Sequence, residues 1–229
     1  MKSILTFLIL LLCSNVFGQL SIGVGPTFGY NRNQNFNEFR DKYNELNATS
    51  ISKKMGKANG HKGLTLEVNF RVGGLSSGVT RTYINSHAKA KLTNGTERLF
   101  EIDRKFTTAL IGGAFNIGES NEVRIEIGML HVVSNMYSYV ILPTGEVDRF
   151  TGAASHQSTW TNIGLAGRVS FIHSITDRLS YYGNFSLARS NAQDLELAPN
   201  LTYFDTNVTH TFQGFLISVG IGFNLSEKI

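Results

Sequence analysis

From Thr209 to Leu225 the apolar residues Phe215, Ile217, Val219, Ile221, Phe223 and Leu225 fall on every second position. Between them stand Gly214, Ser218, Gly220, Gly222 and Asn224, small or polar, with Leu216 the exception. A period of two is the period of a β-strand, so this segment presents one greasy face and one small, polar face. It is long for a soluble sheet, where strands average about 5–6 residues, and it suits a strand tilted across a bilayer, which needs about 9–11. A chain built from such strands has to close them into a barrel, because hydrocarbon offers no partner to an open sheet edge.

The same alternation gives seven further strand candidates. Leu20–Tyr30 places Leu20, Ile22, Val24, Phe28 and Tyr30 opposite Gly23, Gly25 and Gly29. In Leu64–Val72, Leu64, Leu66, Val68, Phe70 and Val72 alternate with Thr65, Glu67, Asn69 and Arg71. Ser77–Asn85 is weaker, since Val79 and Tyr83 share a face with Arg81; Lys105–Asn116 is apolar on both faces and its phase is ambiguous. Glu122–Val133, Trp160–His173 and Leu179–Ser190 alternate clearly. The connections around 73–76, 117–121 and 174–177 are short and rich in Gly, Ser, Asn and Asp, residues that make turns by positive φ or by bonding back to the local backbone. The others, Asn31–Lys62, Ser86–Arg104, Ser134–Thr159 and Asn191–His210, read as long loops. Short turns at one end and long loops at the other are the layout of outer-membrane barrels.

At the N-terminus, Lys2 precedes an apolar run from Ile4 to Leu12 and then Ser14-Asn15-Val16-Phe17-Gly18. This is the pattern of a secretory signal cleaved after Gly18, which divides the chain into 1–18, the signal, and 19–229, the barrel. The run is too short for a spanning helix. Cys13, the single cysteine, would leave with the signal; Leu12 before it is too bulky for a lipoprotein site. The mature chain then carries no thiol and no disulfide. Loss of Lys2 lowers the formal charge by one from +4, too mild a value to suggest nucleic acid as a partner.

Alternation alone leaves open which face meets lipid. A soluble eight-stranded barrel that binds a small ligand would be apolar inside. The glycines, serines and alanines of the polar face favour the opposite arrangement, because a narrow lumen demands small residues. Two aromatic belts are expected: Tyr30, Phe106, Trp160 and Phe212 at the long-loop end, and Phe70, Phe115, Phe171 and Phe223 at the short-turn end. With lipid outside, Glu67, Arg71, Arg124, Glu126 and Arg168 all point inward. Buried charges are costly unless paired, so these five should form a structural salt-bridged network in a filled lumen.

On the signal, the strands Leu64–Val72 and Glu122–Val133 and the final strand, the chain resembles the small bacterial outer-membrane β-barrels. Its cast is similar to the porin-family barrel domains of Bacteroidetes, of OmpX or PorT type, over nearly all of the mature chain. The resemblance implies an eight-stranded antiparallel up-and-down transmembrane barrel in the cell outer membrane. It implies a structural, adhesive or envelope-assembly role through the outer loops; the PorT type is linked to protein secretion. It departs from the family at the C-terminus, where Phe223 is followed by Asn224–Ile229 rather than ending the chain.

Catalytic signals are sparse. Some small barrels edit lipids near the outer rim, and His156 with Ser155, Ser158 and Asp148, or His210 from another loop, are the candidates for such an enzyme. Neighbourhood in a loop does not supply a nucleophile, base and orienting group, and the reading is not an enzyme. There is no H-x-x-x-H pair, so neither a metal site nor a cofactor is expected. His131 and His173 share the lipid-facing parity near strand ends. Lys53, Lys54, Lys57, His61 and Lys62 form a basic cluster in the first long loop that could meet lipopolysaccharide phosphates, with Glu38, Asp41 and Glu45 to balance it. The expected partners are thus outer-membrane lipid, lipopolysaccharide and an envelope protein.

Overall fold

The computed structural model describes residues 18–31, 34–148, 156–190, 193–194, 209–210 and 212–225. Eight antiparallel strands close into a ring: β1 (Gln19–Asn31), β3 (Gly60–Val72), β4 (Leu75–Leu92), β5 (Glu97–Ile117), β6 (Asn121–Ile141), β8 (His156–Ser174), β9 (Leu179–Ser190) and β12 (Gln213–Asn224). Each pairs with its sequence neighbour in this set, and β1 meets β12 with Val24 opposite Ile221 and Phe28 opposite Ile217. Closure leaves the ring without an edge. Among the described residues, one helix, α1 (Gln34–Leu46), and the short strands β2 (Ile51–Lys53), β7 (Val147–Asp148), β10 (Gln193–Asp194) and β11 (Thr209–His210) lie at the long-loop end. At the other end the turns are tight; Gly73 at φ 56° and Gly118 at φ 71° take a left-handed conformation that other residues rarely adopt.

The outer wall is apolar. Ile127 and Leu165 are each 64% exposed and Val219 is 50% exposed, as their odd-numbered neighbours on β6, β8 and β12 also point out. Glu126 and Arg168 are 3% exposed, sealed inside. A soluble ligand-binding barrel needs the reverse polarity, so that alternative is ruled out. None of the described helices is long and apolar enough to cross a membrane; the strands do the crossing.

The structure corrects several sequence expectations. Much of the segments 86–104 and 134–159, read as long loops, is strand: β4 and β5 run on past the apolar belt and turn tightly at 93–96, and β6 continues beside them to Ile141. Their outward residues change to Lys89, Lys91, Glu97, Glu101 and Asp103, while Ala88, Ala90, Phe100, Ile102 and Met136 point inward. The first long loop contains α1, which lays Phe36, Phe39 and Tyr43 on that inner face. Phe39 and Tyr43 meet the Phe100 ring edge-on, with centroids 5.1 and 5.8 Å apart. Asn44 ties the helix to the returning chain, donating from Nδ2 to the Met55 carbonyl (3.2 Å) and accepting from the Met55 amide (2.9 Å). Beside this platform β2 pairs with β4 and β7 with β6, so its margins are partly covered.

The aromatic belts also need revision. Phe106 and Phe212 point into the lumen, 1% and 0% exposed, and pack edge-on at 4.7 Å. Phe106 shares the parity of Thr108 and Leu110, both inward, so its place near a strand end was misleading. At the outer rim exposed Tyr30 and Phe185 flank half-buried Phe215, the three rings stacked in a row at 5.9 Å spacing. Phe115, Phe171 and Phe223 are exposed at the short-turn end and Phe70 is half-buried there. The side chain of Trp160 lies outside the described residues. His131 and His173 are exposed on the outer wall.

Candidate functional site

Among the described residues, charged side chains gather away from water in the lumen. Period-two geometry delivers them: odd residues of β3 and even residues of β6, β8 and β9 face the axis. Arg168 on β8 sits at the centre. Its Nε donates to Glu126 Oε2 at 2.7 Å, its Nη1 to Glu67 Oε2 at 3.0 Å and its Nη2 to Asn69 Oδ1 at 2.8 Å; Nη2 also lies 2.6 Å from Glu126 Oε2. Asn184 Nδ2 donates to the same Glu67 oxygen at 2.9 Å. One planar guanidinium thus bridges two carboxylates on β3 and β6, strands that do not touch each other in the ring.

Nearer the short turns, Glu122 accepts from Arg71 Nη1 through one oxygen and from Arg124 Nε through the other. Arg71 Nε also donates to the Gly73 carbonyl at 2.8 Å, anchoring the first tight turn. All five residues singled out from the sequence therefore line the lumen, in two groups: Arg168 with Glu67 and Glu126, and Arg71 with Arg124. Glu122 joins the second group and was overlooked, although its parity on β6 matches that of Arg124 and Glu126. The two groups together contain three guanidiniums and three carboxylates and are electrically neutral.

The small residues opposite now have a physical cause. A Cβ on Gly23 would stand 2.7 Å from Glu67 Cγ and 2.8 Å from Tyr182 Cε1; one on Gly78 would stand 2.4 Å from Asn69 Oδ1 and 3.2 Å from Arg168 Nη2. The glycines are the space that the large polar heads occupy. Above the charges comes a layer of hydroxyls, Thr27 to Thr65 at 2.5 Å and Thr65 to Thr82 at 2.8 Å, with Thr80 bonded to Thr108. Above that, Ile84, Phe106, Leu110, Leu130, Val132, Phe212 and Leu216 form an apolar layer. The cavity left between the layers is about 20 Å³, about the room one water takes. His61, expected in the exposed basic cluster, is 3% exposed inside the mouth; Lys53, Lys54, Lys57 and Lys62 are exposed.

The catalytic candidates lie on three strands: His156 and Ser158 on β8, Asp148 on β7 and His210 on β11. His156 pairs with Tyr137 and Ser158 with Met136 on β6, Asp148 pairs with Val140, and His210 belongs to the separate β10–β11 ribbon. Ser155 and the side chains of the other four lie outside the described residues. Among the described residues no group of three or more His, Cys, Asp or Glu is arranged to hold a metal ion.

No family model matches the chain, and no curated protein matches it by sequence. Solved structures do resemble it. The outer-membrane protein OprG of Pseudomonas aeruginosa superposes with a TM-score of 0.59 at 10% identity, over 92% of this chain and 97% of its own. Ail, the attachment invasion locus protein of Yersinia pestis, gives 0.45 at 11% identity over 91% and 99%, and neisserial surface protein A gives 0.43 at 12% over 89% and 96%. At such identities the OprG likeness speaks for the fold alone. That fold, together with an exposed apolar belt that only hydrocarbon can cover, makes this chain an integral β-barrel protein of the bacterial outer membrane. Its short turns then face the periplasm and its extended strands face outward.

Proposed function

We propose that this protein is a sealed, non-enzymatic membrane anchor that carries a rigid platform outside the cell, used for adhesion or for docking in an envelope assembly. The observation that carries the reading is the extension of β4, β5 and β6 beyond the apolar belt, backed on its inner face by α1. A strand run from Lys105 to Glu97 adds roughly 25 Å along the strand at about 3.3 Å per residue. Loops that merely close a barrel need no hydrophobic core of their own; this projection has one. The filled lumen argues against transport, and the apolar Phe106–Phe212 layer lies between the ion cluster and His61. The ion network is accordingly structural: it holds β3, β6, β8 and β9 at fixed separation around the axis.

The reading extends to the N-terminus, where β1 opens at Gln19, directly after the proposed signal. It also includes the likeness to Bacteroidetes barrels of secretion assemblies. A photo-crosslinker at exposed Lys89 on the platform should trap a protein partner on intact cells, while one at lipid-facing Ile127 should not. Reconstituted protein should pass no stable current in a planar bilayer. Release of fatty acid from labelled lipopolysaccharide, abolished in His156→Ala, would replace this reading with that of a lipid-modifying enzyme.

A further inference from the structure

The outward stripe of β8 runs Ile163, Leu165, Gly167, Val169, Phe171, and Gly167 leaves a gap in the lipid-facing wall. Its cross-strand neighbours are Ile127 on β6 and Leu187 on β9, both more than half exposed. The gap opens into a groove of about 550 Å³ that also reaches Leu165, Phe215 and Tyr30. Its walls are apolar except at the outer end, where Arg189 and Gln213 face each other across β9 and β12. Arg189 is exposed, two residues above Leu187, and forms no ion pair with any described residue.

An apolar slot in the outer-leaflet half of the wall, with one cation at its upper end, has the polarity of an acylated phosphate: hydrocarbon below, anion above. An arginine at this height reaches the headgroup level along its aliphatic stem and can fork onto phosphate oxygens. The outer leaflet of this membrane is built of lipid A, whose acyl chains sit directly beneath a phosphorylated sugar. We propose that the groove over Gly167 is a binding site for one lipid A molecule, an acyl chain lying in the slot and a phosphate held by Arg189. The site is separate from the platform and does not depend on the role proposed for it.

Two variants test this without touching the lumen. A Cβ on Gly167 meets nothing closer than Glu126 O at 3.8 Å, so Gly167→Phe fits the fold and fills the slot. Arg189→Gln removes the cation. Full-length protein refolded with diphosphorylated lipid A would be examined by native mass spectrometry, with dephosphorylated lipid A and phosphatidylglycerol as comparison probes. Folding of every variant is checked by its heat-modifiable gel shift. The wild type should retain one lipid A per barrel. Arg189→Gln should lower that retention about tenfold, the loss of one charge-assisted contact, and dephosphorylated lipid A should be retained as poorly by the wild type. Gly167→Phe should lower retention of both forms. Equal retention of lipid A by wild type and correctly folded variants overturns the proposal. So does retention of phosphatidylglycerol as strong as that of lipid A with the same response to both substitutions, which would mean a general annular-lipid contact.

Discussion

Replacing Arg168 with Met tests the lumen network most directly. Arg168 is 3% exposed and contacts Glu126, Glu67 and Asn69 at 2.6–3.0 Å. Methionine fills much of the volume but leaves two carboxylates facing each other with their cation gone. Charge-assisted hydrogen bonds contribute about 1.5–3 kcal/mol each, but these share acceptors and do not add. Breaking a buried pair by deleting one partner costs about 3–5 kcal/mol, so the folding equilibrium should shift by roughly two to four powers of ten. The assay is reversible urea unfolding in lipid vesicles, followed by the fluorescence of Trp160. The triple variant Arg168→Met/Glu67→Gln/Glu126→Gln removes the stranded charges and should recover at least half of the loss, because a neutral lumen needs no counter-ion. If Arg168→Met costs less than about 1 kcal/mol, the value of an exposed pair, or if the triple variant is no better than the single one, the network is not what sets the energy of this lumen.

Further outcomes follow from other layers. Phe212→Ala should destabilise the barrel by about 3–5 kcal/mol as a core aromatic is lost, and in planar bilayers it should permit small currents that the wild type lacks. Val219→Arg, on the outer wall, should cost about 2–4 kcal/mol if it lies near the bilayer midplane, a penalty absent if that face met water; urea titration reads it. On the platform, a hydrogen bond from Lys89 and the charges of Lys89, Lys91 and Lys53 hold the Glu97 carboxyl below its usual range, outweighing the opposing effect of desolvation. Its folded value is depressed, so the small stabilisation is present above the ordinary glutamate pKa and is lost as the pH falls through the folded one. Lys89→Met should move the NMR titration of Glu97 upward. N-terminal sequencing of the exported protein should begin at Gln19.

Much of the barrel was legible because lipid outside and crowding inside impose opposite demands on alternate residues. β3, β6 and β12 carry that contrast along most of their length, and their faces were assigned correctly. β5 was ambiguous for a physical reason: Phe106, Leu110 and Ala114 on its inner face are apolar too, because the upper lumen is plugged. The outer half of β4 escaped notice since Ala88 and Ala90 alternate with Lys89 and Lys91, a strand pattern with no greasy stripe. Helix α1 carries the spacing Phe36, Phe39, Tyr43 of one helical face, a short signal inside a long polar segment with no strand alternation. Glu122 could have been found by extending the parity of Arg124 one step. Which carboxylate pairs with which guanidinium could not, because that depends on the stagger between strands, which alternation does not encode.

The distances in sequence across the lumen have a consequence for assembly. Arg168 is separated from Glu67 by 101 residues, and Asn184 from Glu67 by 117. Arg168 meets Glu126 on the adjacent strand, but until β1 finds β12 nothing brings Glu67 to either partner, and an unzipped sheet would offer its carboxylate bare to the bilayer. Insertion and ring closure are therefore coupled: the polar knot can be tied only by a hairpin series that has already curled round on itself. A partly inserted chain has every energetic reason to finish or to withdraw.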